Sequence, residues 1–321
     1  MATPEVTGSS NSKEYSSIAP VQEGKTPELE LAIIKAVEAA LGKIKGCDTD
    51  GFEYESLSHL WDVESQRRPM AGDDNPAWYA NALSYWDACE PTVEGMLGGF
   101  GVLTDPDVLG SQSFIGKIRE RRPNWDRGAV VDCGAGIGRV TKYLLLPMFE
   151  SVILLEQSAP LIAAAPAYLG PEGAARTTFV CRGMQAWQPE PQSLDCVWVQ
   201  WVSYNAQKLF HFPATFSTSL QCCHSRLSHQ VIGHLSDVDL VTFLQRCKAS
   251  LKPGGVICIK DNTFPRKGTE HFVVDREDSS MTRSKEYFEE IFKFAGLAVL
   301  LREKQRGFPS ELYPVLMYCL V

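Results

Sequence analysis

Three alternating glycines stand between an acid and an arginine in Asp132-Cys133-Gly134-Ala135-Gly136-Ile137-Gly138-Arg139. Glycine lets a backbone turn tightly and approach a ligand with no Cβ in the way. The loop follows Ala129-Val130-Val131-Asp132-Cys133, which reads as a short buried strand, and opens a helix from about Gly138 to Leu146. A ligand at such a helix start meets free N–H groups. A plain strand–helix turn has the same local look, so the surroundings must decide. The glycine spacing is GxGxG, unlike the GxGxxG of dinucleotide folds. A second acid, Glu156, ends the next apolar stretch, Val152-Ile153-Leu154-Leu155. There a carboxylate can accept from both hydroxyls of a ribose.

These groups need elements to hold them. Thr178–Cys181 reads as a third strand and leads into Gly183-Met184-Gln185. Leu194–Gln200 reads as a fourth, with Gln200 at its carboxyl end, where ligands bind in open α/β sheets. Ser236-Asp237-Val238-Asp239 caps a helix through about Ser250, and Gly255–Lys260 forms a fifth strand. A helix over 284–294 and strands near 297–302 and 314–320 finish the chain. Strands alternating with helices predict an α/β fold with a largely parallel sheet.

Upstream, residues 1–25 are polar and lack apolar anchors, which predicts a disordered tail. Thr26-Pro27-Glu28 opens a helix whose apolar positions are Leu29, Ile33, Ile34, Val37 and Leu41, with Gly46 as its expected end. The linker from Cys47 to Asn75 shows no period. A helix from about Pro76 to Cys89 is aromatic, with Trp78, Tyr79, Tyr85 and Trp86. The expected domains are therefore 1–25 (tail), 26–75 (helix and linker) and 76–321 (α/β domain).

The chain has 321 residues and a net charge of −8, with no Lys/Arg block, so a nucleic-acid partner has no electrostatic support. No apolar run reaches a membrane-spanning length. Several of the ten cysteines fall in apparent core strands, which suits a reducing compartment.

GxGxG after a strand Asp, with Glu156 at the end of the next strand, resembles motifs I and II of class I methyltransferases. That resemblance implies a Rossmann-like, mostly parallel seven-stranded sheet with helices on both faces, plus an N-terminal helical extension here. It implies S-adenosylmethionine as cofactor, held by Gly134, Gly136, Arg139, Glu156, Gly183, Met184, Gln185 and Gln200. Arg139 is the positive group expected near the methionyl carboxylate. The bland alternative for it is a surface helix charge.

Longer stretches resemble the protein N-terminal (alpha-N) methyltransferases specific for Xaa-Pro-Lys. They are Tyr85-Trp86 with Pro91 to Gly99, Val199-Gln200-Trp201, Ile232-Gly233-His234-Leu235, Ile259-Lys260-Asp261-Asn262 and Asp278-Ser279-Ser280. The resemblance covers about residues 76–321. It implies that Asp278 and His234 serve proton removal and are the catalytic pair. It also implies that Trp86, Gly98, Trp201, Asn262, Asp275, Ser280 and Tyr313 contact the substrate. The chemistry suits these types: a protonated α-amine has no lone pair, and its ordinary pKa lies near 7.7–8.0. A carboxylate attracts the ammonium and a histidine titrates in the needed range. The implied partners are protein N-termini, with no nucleic acid, membrane or metal, and the implied location is cytoplasmic and nuclear.

The chain departs from that family between Trp201 and Val231. Residues 202–230 contain no acid, in a chain with 39, yet hold His211, His224, His229 and the pair Cys222-Cys223. Removing them restores Gln200-Trp201-Val231-Ile232-Gly233-His234. The segment reads as an insertion, either a translated unspliced intron or a genuine loop. Its histidines and cysteines match no standard zinc spacing. An alternative function follows: a methyltransferase-fold isoform that binds cofactor or partners but is catalytically impaired by the insertion.

Overall fold

The computed structural model describes residues 26–66, 77–200, 232–310 and 312–321. The tail 1–25, Trp201 and the insertion 202–230 fall outside these residues.

Seven strands form the main sheet: β3 (Ala129–Cys133), β4 (Ser151–Glu156), β5 (Thr177–Cys181), β6 (Leu194–Gln200), β7 (Leu251–Asn262), β10 (Val299–Lys304) and β11 (Val315–Leu320). Their order is β10-β11-β7-β6-β3-β4-β5. All neighbouring pairs from β7 to β5 are parallel, and β11 alone runs against its neighbours. Chain order reverses between β3 and β6, and such a switch point opens a crevice at the carboxyl ends of the strands. The expected fold class is therefore present.

Alternate strand residues face opposite ways and build two cores. Val131, Cys133, Val197, Val199, Ile257 and Ile259 join a cluster with α1 (Pro27–Leu41), α2 (Leu57–Ser65), α3 (Ala77–Asp87), α4 (Val93–Met96), α8 (Asp237–Ser250) and α9 (Lys285–Phe294). Val130, Cys196, Trp198, Val256 and Cys258 face a cluster with α5 (Thr104–Arg121), α6 (Leu146–Met148) and α7 (Ala159–Ala175). A sheet covered on both faces explains why β3, β4 and β6 read as continuous apolar runs.

Several local expectations need correction. The first helix starts as read, with the Thr26 hydroxyl accepting from the Leu29 N–H. It stops at Leu41, however, where Gly42 takes φ 79°, and Gly46 lies in a strand instead. The supposed linker holds β1 (Lys45–Asp48), β2 (Glu53–Tyr54) and α2. With β8 (Glu270–Asp275) and β9 (Ser280–Arg283) these strands make a second sheet, β2-β1-β8-β9. Strands of two to four residues carry too little periodicity to be read, and β1 pairs with a strand far along the chain. Helix α5 was also not anticipated.

Candidate active site

The glycine loop leaves β3 with Gly134, Gly136 and Gly138 all left-handed, at φ 68°, 57° and 90°. A Cβ on Gly136 would lie 3.0 Å from the Met96 methyl, a contact that a small methionine shift relieves, so it is the left-handed φ that calls for glycine here. The N–H groups of Gly134 and Ala135 donate to the Leu155 carbonyl, while Gly136 donates to Glu156 Oε2 at 2.9 Å. The other oxygen of Glu156 accepts from the Ser158 N–H at 2.8 Å. Burial raises the Glu156 carboxyl and these backbone donors oppose the rise.

Two adjoining clefts share this loop. The first, open to solvent, spans about 520 Å³ and brings together Gly134, Glu156, Gly183, Met184 and Gln185 with Tyr79, Trp86, Met96 and His234. The second, of about 380 Å³, is lined by Gly134, Arg139 and Gln200 with Asp132 and Met96. Gly136 and Glu156 meet through their hydrogen bond, so the eight expected cofactor positions converge on one continuous region.

Sequence reasoning missed the group that organises the second cleft. Asp107, on α5, is buried and accepts from Arg139 Nη1 at 2.7 Å and Lys260 Nζ at 2.5 Å. Gln200 Nε2 also donates to Asp107, at 2.6 and 2.7 Å. Burial alone would raise the Asp107 carboxyl, but Lys260 and Arg139 outweigh it and hold it below the ordinary range. Arg139 lines this cleft beside Asp132, and its guanidinium is the positive group that an anionic ligand group would meet there. So Arg139 is not a surface helix charge. The available signal was that Asp107 falls on the inward stripe with Leu103, Ser111, Phe114 and Ile118.

Of the two residues expected to form a catalytic pair, His234 lines the first cleft. His234 is buried: its Nε2 accepts from Trp86 Nε1 at 3.0 Å and its Nδ1 lies 3.0 Å from the Ser279 carbonyl. This pattern requires a neutral ring with its proton on Nδ1. Burial pushes its pKa down to about 4. The Trp78 indole donates to the His234 carbonyl at 2.6 Å. Ser279 adopts φ 53°, a left-handed conformation costly for a non-glycine residue, and so aims its carbonyl at the histidine.

Asp278, beside that serine, is 1 % exposed. Its Oδ1 accepts from the Ser280 hydroxyl at 2.6 Å, and its Oδ2 has no hydrogen-bond partner among the described residues. Burial, with the charge of Asp275, drives the Asp278 carboxyl well above its usual range. Asp275 is buried and accepts from the Glu277 N–H at 2.9 Å. Asn262 is buried at the end of β7. Tyr313 is half-buried, edge-on to Phe264, and burial raises its hydroxyl, followed by Cys47 and Asp275. Gly98 is left-handed at φ 54° in the turn after α4.

The family description "AdoMet dependent proline di-methyltransferase" matches residues 74–219 and 227–321. The chain belongs to this family. The break in the match, over 220–226, falls inside the segment read as an insertion. The chain is 37% identical over 249 residues to N-terminal Xaa-Pro-Lys N-methyltransferase 1 of Mus musculus, spanning 77% of this chain and 97% of that protein. It is 36% identical over 287 residues to Alpha N-terminal protein methyltransferase 1 of Arabidopsis thaliana, spanning 86% and 91%. A solved SAM-dependent methyltransferase from Leishmania major superposes with TM-score 0.70 at 30% identity, covering 87% of this chain and 96% of that one.

The chain is thus an S-adenosylmethionine-dependent methyltransferase. Its residues fit that cofactor: left-handed glycines open the loop, Glu156 offers a carboxylate to a diol, and Arg139 with Lys260 supplies positive charge.

Proposed function

We propose that this methyltransferase acts on the α-amino group of protein N-termini beginning Xaa-Pro-Lys. The observation that carries the reading is the pair of buried acids Asp275 and Asp278 in the loop whose Ser279 carbonyl meets His234, a residue that lines the cleft. The relatives' names point to the same substrate.

Bound cofactor supplies an electrophilic sulfonium methyl. The protein must then deliver an amine with a free lone pair. A buried carboxyl beside a second acid favours the neutral form, and an arriving ammonium reverses that preference. Asp278 therefore attracts the cation and accepts its proton on Oδ2, while Ser280 holds Oδ1. His234 borders the same cleft, and its Nε2 takes a proton only when the Trp86 hydrogen bond opens. Trp86 and Tyr79 form an apolar wall that excludes water, and in-line attack depends on that placement. Trp86, Gly98, Trp201, Asn262, Ser280 and Tyr313 complete the proposed substrate contacts. Cytoplasmic and nuclear residence, with neither nucleic acid nor membrane as partner, belongs to the same proposal.

The test is transfer of labelled methyl to a Ser-Pro-Lys peptide, with an N-acetylated peptide as control. The free peptide is methylated and the blocked one is not. Asp278→Asn lowers kcat/KM by about 10²–10³ while cofactor affinity holds. Equal transfer to both peptides overturns the α-amine assignment. Transfer only after deletion of 202–230 supports the impaired-isoform reading instead.

A further inference from the structure

Residues 232–235, which carry His234, form a short buried turn ahead of Ser236, the N-cap of α8. Lying before the cap, their carbonyls take no part in the helix, yet a buried carbonyl still needs a donor. Three of them find one on a side chain. The Trp78 indole donates to the His234 carbonyl at 2.6 Å. Arg283 supplies the other two: its Nη1 donates to the Ile232 carbonyl at 3.3 Å and its Nη2 to the Leu235 carbonyl at 2.8 Å. The arginine therefore grips the backbone on both sides of the histidine.

Arg283 ends β9 and is fully buried. A guanidinium is a planar fork of five donors, so fixing two of them aims the rest. Here Nε and Nη2 both reach Asp237 Oδ1, at 3.1 and 2.9 Å. Asp237, in the first turn of α8, is held in turn: its Oδ2 accepts from the Tyr287 hydroxyl at 2.6 Å and from the Trp61 indole at 3.1 Å. The backbone of Arg283 is fixed as well. It stands opposite Phe272 of β8, and its carbonyl accepts from the Phe264 N–H at 2.9 Å.

The same strand meets His234 a second time. Ser279 directly precedes β9, and its carbonyl lies 3.0 Å from His234 Nδ1. One end of β9 thus holds the turn and the other end holds the ring. We propose that Arg283 is a positioning residue for methyl transfer: it locks the 232–235 turn against β9, so that the His234 ring meets Ser279 and Trp86 in a single tautomer. This proposal rests on the reading of His234 given above. A lysine at position 283 would keep a charge beside Asp237, but its one nitrogen cannot also span carbonyls three residues apart. The turn then shifts along β9, Nδ1 and the Ser279 carbonyl part, and the neutral ring divides between its two tautomers. An arginine that served only to anchor α8 through Asp237 would leave the ring as it is.

In the full chain we expect Arg283→Lys to lower kcat for a Ser-Pro-Lys peptide about 10- to 100-fold, with peptide KM and cofactor Kd unchanged. Tyr287→Phe is the control. It removes a buried hydrogen bond to the same carboxylate, on the other oxygen, and leaves the two turn carbonyls their donors. Its kcat stays at the wild-type value. A merely structural role predicts that the two variants behave alike. An unchanged kcat in Arg283→Lys, or an equal fall in Tyr287→Phe, overturns the proposal. If Arg283→Lys does not fold, Arg283→Gln combined with Asp237→Asn takes its place: it strands no buried charge, still deprives the turn of the fork, and carries the same expectation. A second measurement needs no turnover: the ring ¹⁵N chemical shifts of His234 in the substrate-free protein. Wild type and Tyr287→Phe show the form protonated on Nδ1, and the Arg283 variants show a mixture of tautomers. A single unchanged tautomer in the Arg283 variants overturns the proposal. If wild-type protein methylates no peptide, the substrate reading fails, and the ring shifts still decide whether Arg283 sets the imidazole.

Discussion

The cleft that ends at Glu156 and the acidic loop at Asp278 both border His234, yet they treat charge in opposite ways. On the cofactor side each charged group already has partners. Glu156 accepts from two backbone N–H groups, and Asp107 is satisfied by Arg139, Lys260 and Gln200. At the acidic loop Asp275 and Asp278 are both buried, burial and the charge of Asp275 push Asp278 up, and Arg276 pairs with Asp48. The first side is preorganised for a ligand with a fixed charge pattern. In the second, burial favours the neutral carboxyl at Asp278. The teaching is that two neighbouring regions meet burial differently: Asp107 is held ionised by its cations, while Asp278 is pushed towards its neutral form.

The harshest way to break this contrast is to unbalance the cofactor side. Asp107→Ala strands two buried cations, and we expect a loss of about 3–5 kcal/mol in denaturant unfolding, with weakened cofactor binding. A loss near zero would mean that the balance is not structural.

A somewhat smaller effect sharpens the region the two sides share. Folded His234 titrates at about 4 against 6.5 when unfolded. Between these values the unfolded chain binds the extra proton, so stability is full above pH 6.5 and is lost as pH falls through 4. The difference of about 2.5 units corresponds to about 3 kcal/mol. His234→Asn removes that contribution to the slope of stability against pH, which urea unfolding across pH 4–7 measures.

The smallest effect isolates one carboxylate. Glu156→Gln keeps its shape but exchanges a charged acceptor for a neutral one. We expect cofactor Kd to rise about 10- to 100-fold by calorimetry, with peptide KM unchanged. A matching rise in peptide KM would show that the two sides are coupled through this residue.

What was legible in the sequence follows a physical line. The glycine loop, Glu156 and the strands β3, β4 and β6 are contiguous, and their signals, alternating glycines and buried apolar runs, are local. The caps at Thr26 and Ser236 are local too, and both hold. Asp278, Asp275 and His234 were reachable only through family resemblance, because nothing local distinguishes a buried acid from a surface one. Asp107 and Asp48 had no such guide. Each matters through one long-range partner: Asp107 through Arg139 and Lys260, Asp48 through Arg276, 228 residues away.

The sequence by itself therefore determined the fold class, the cofactor loop and the order of the strands along the chain, since these depend on hydrophobic period and backbone freedom. Only the tertiary structure decided that residues 45–54 complete a sheet with the β8–β9 hairpin. It likewise decided which tautomer His234 adopts and where each buried charge finds its counterpart. Electrostatic partnership depends on distance in space and on burial, and neither is written in the spacing of residues along a chain.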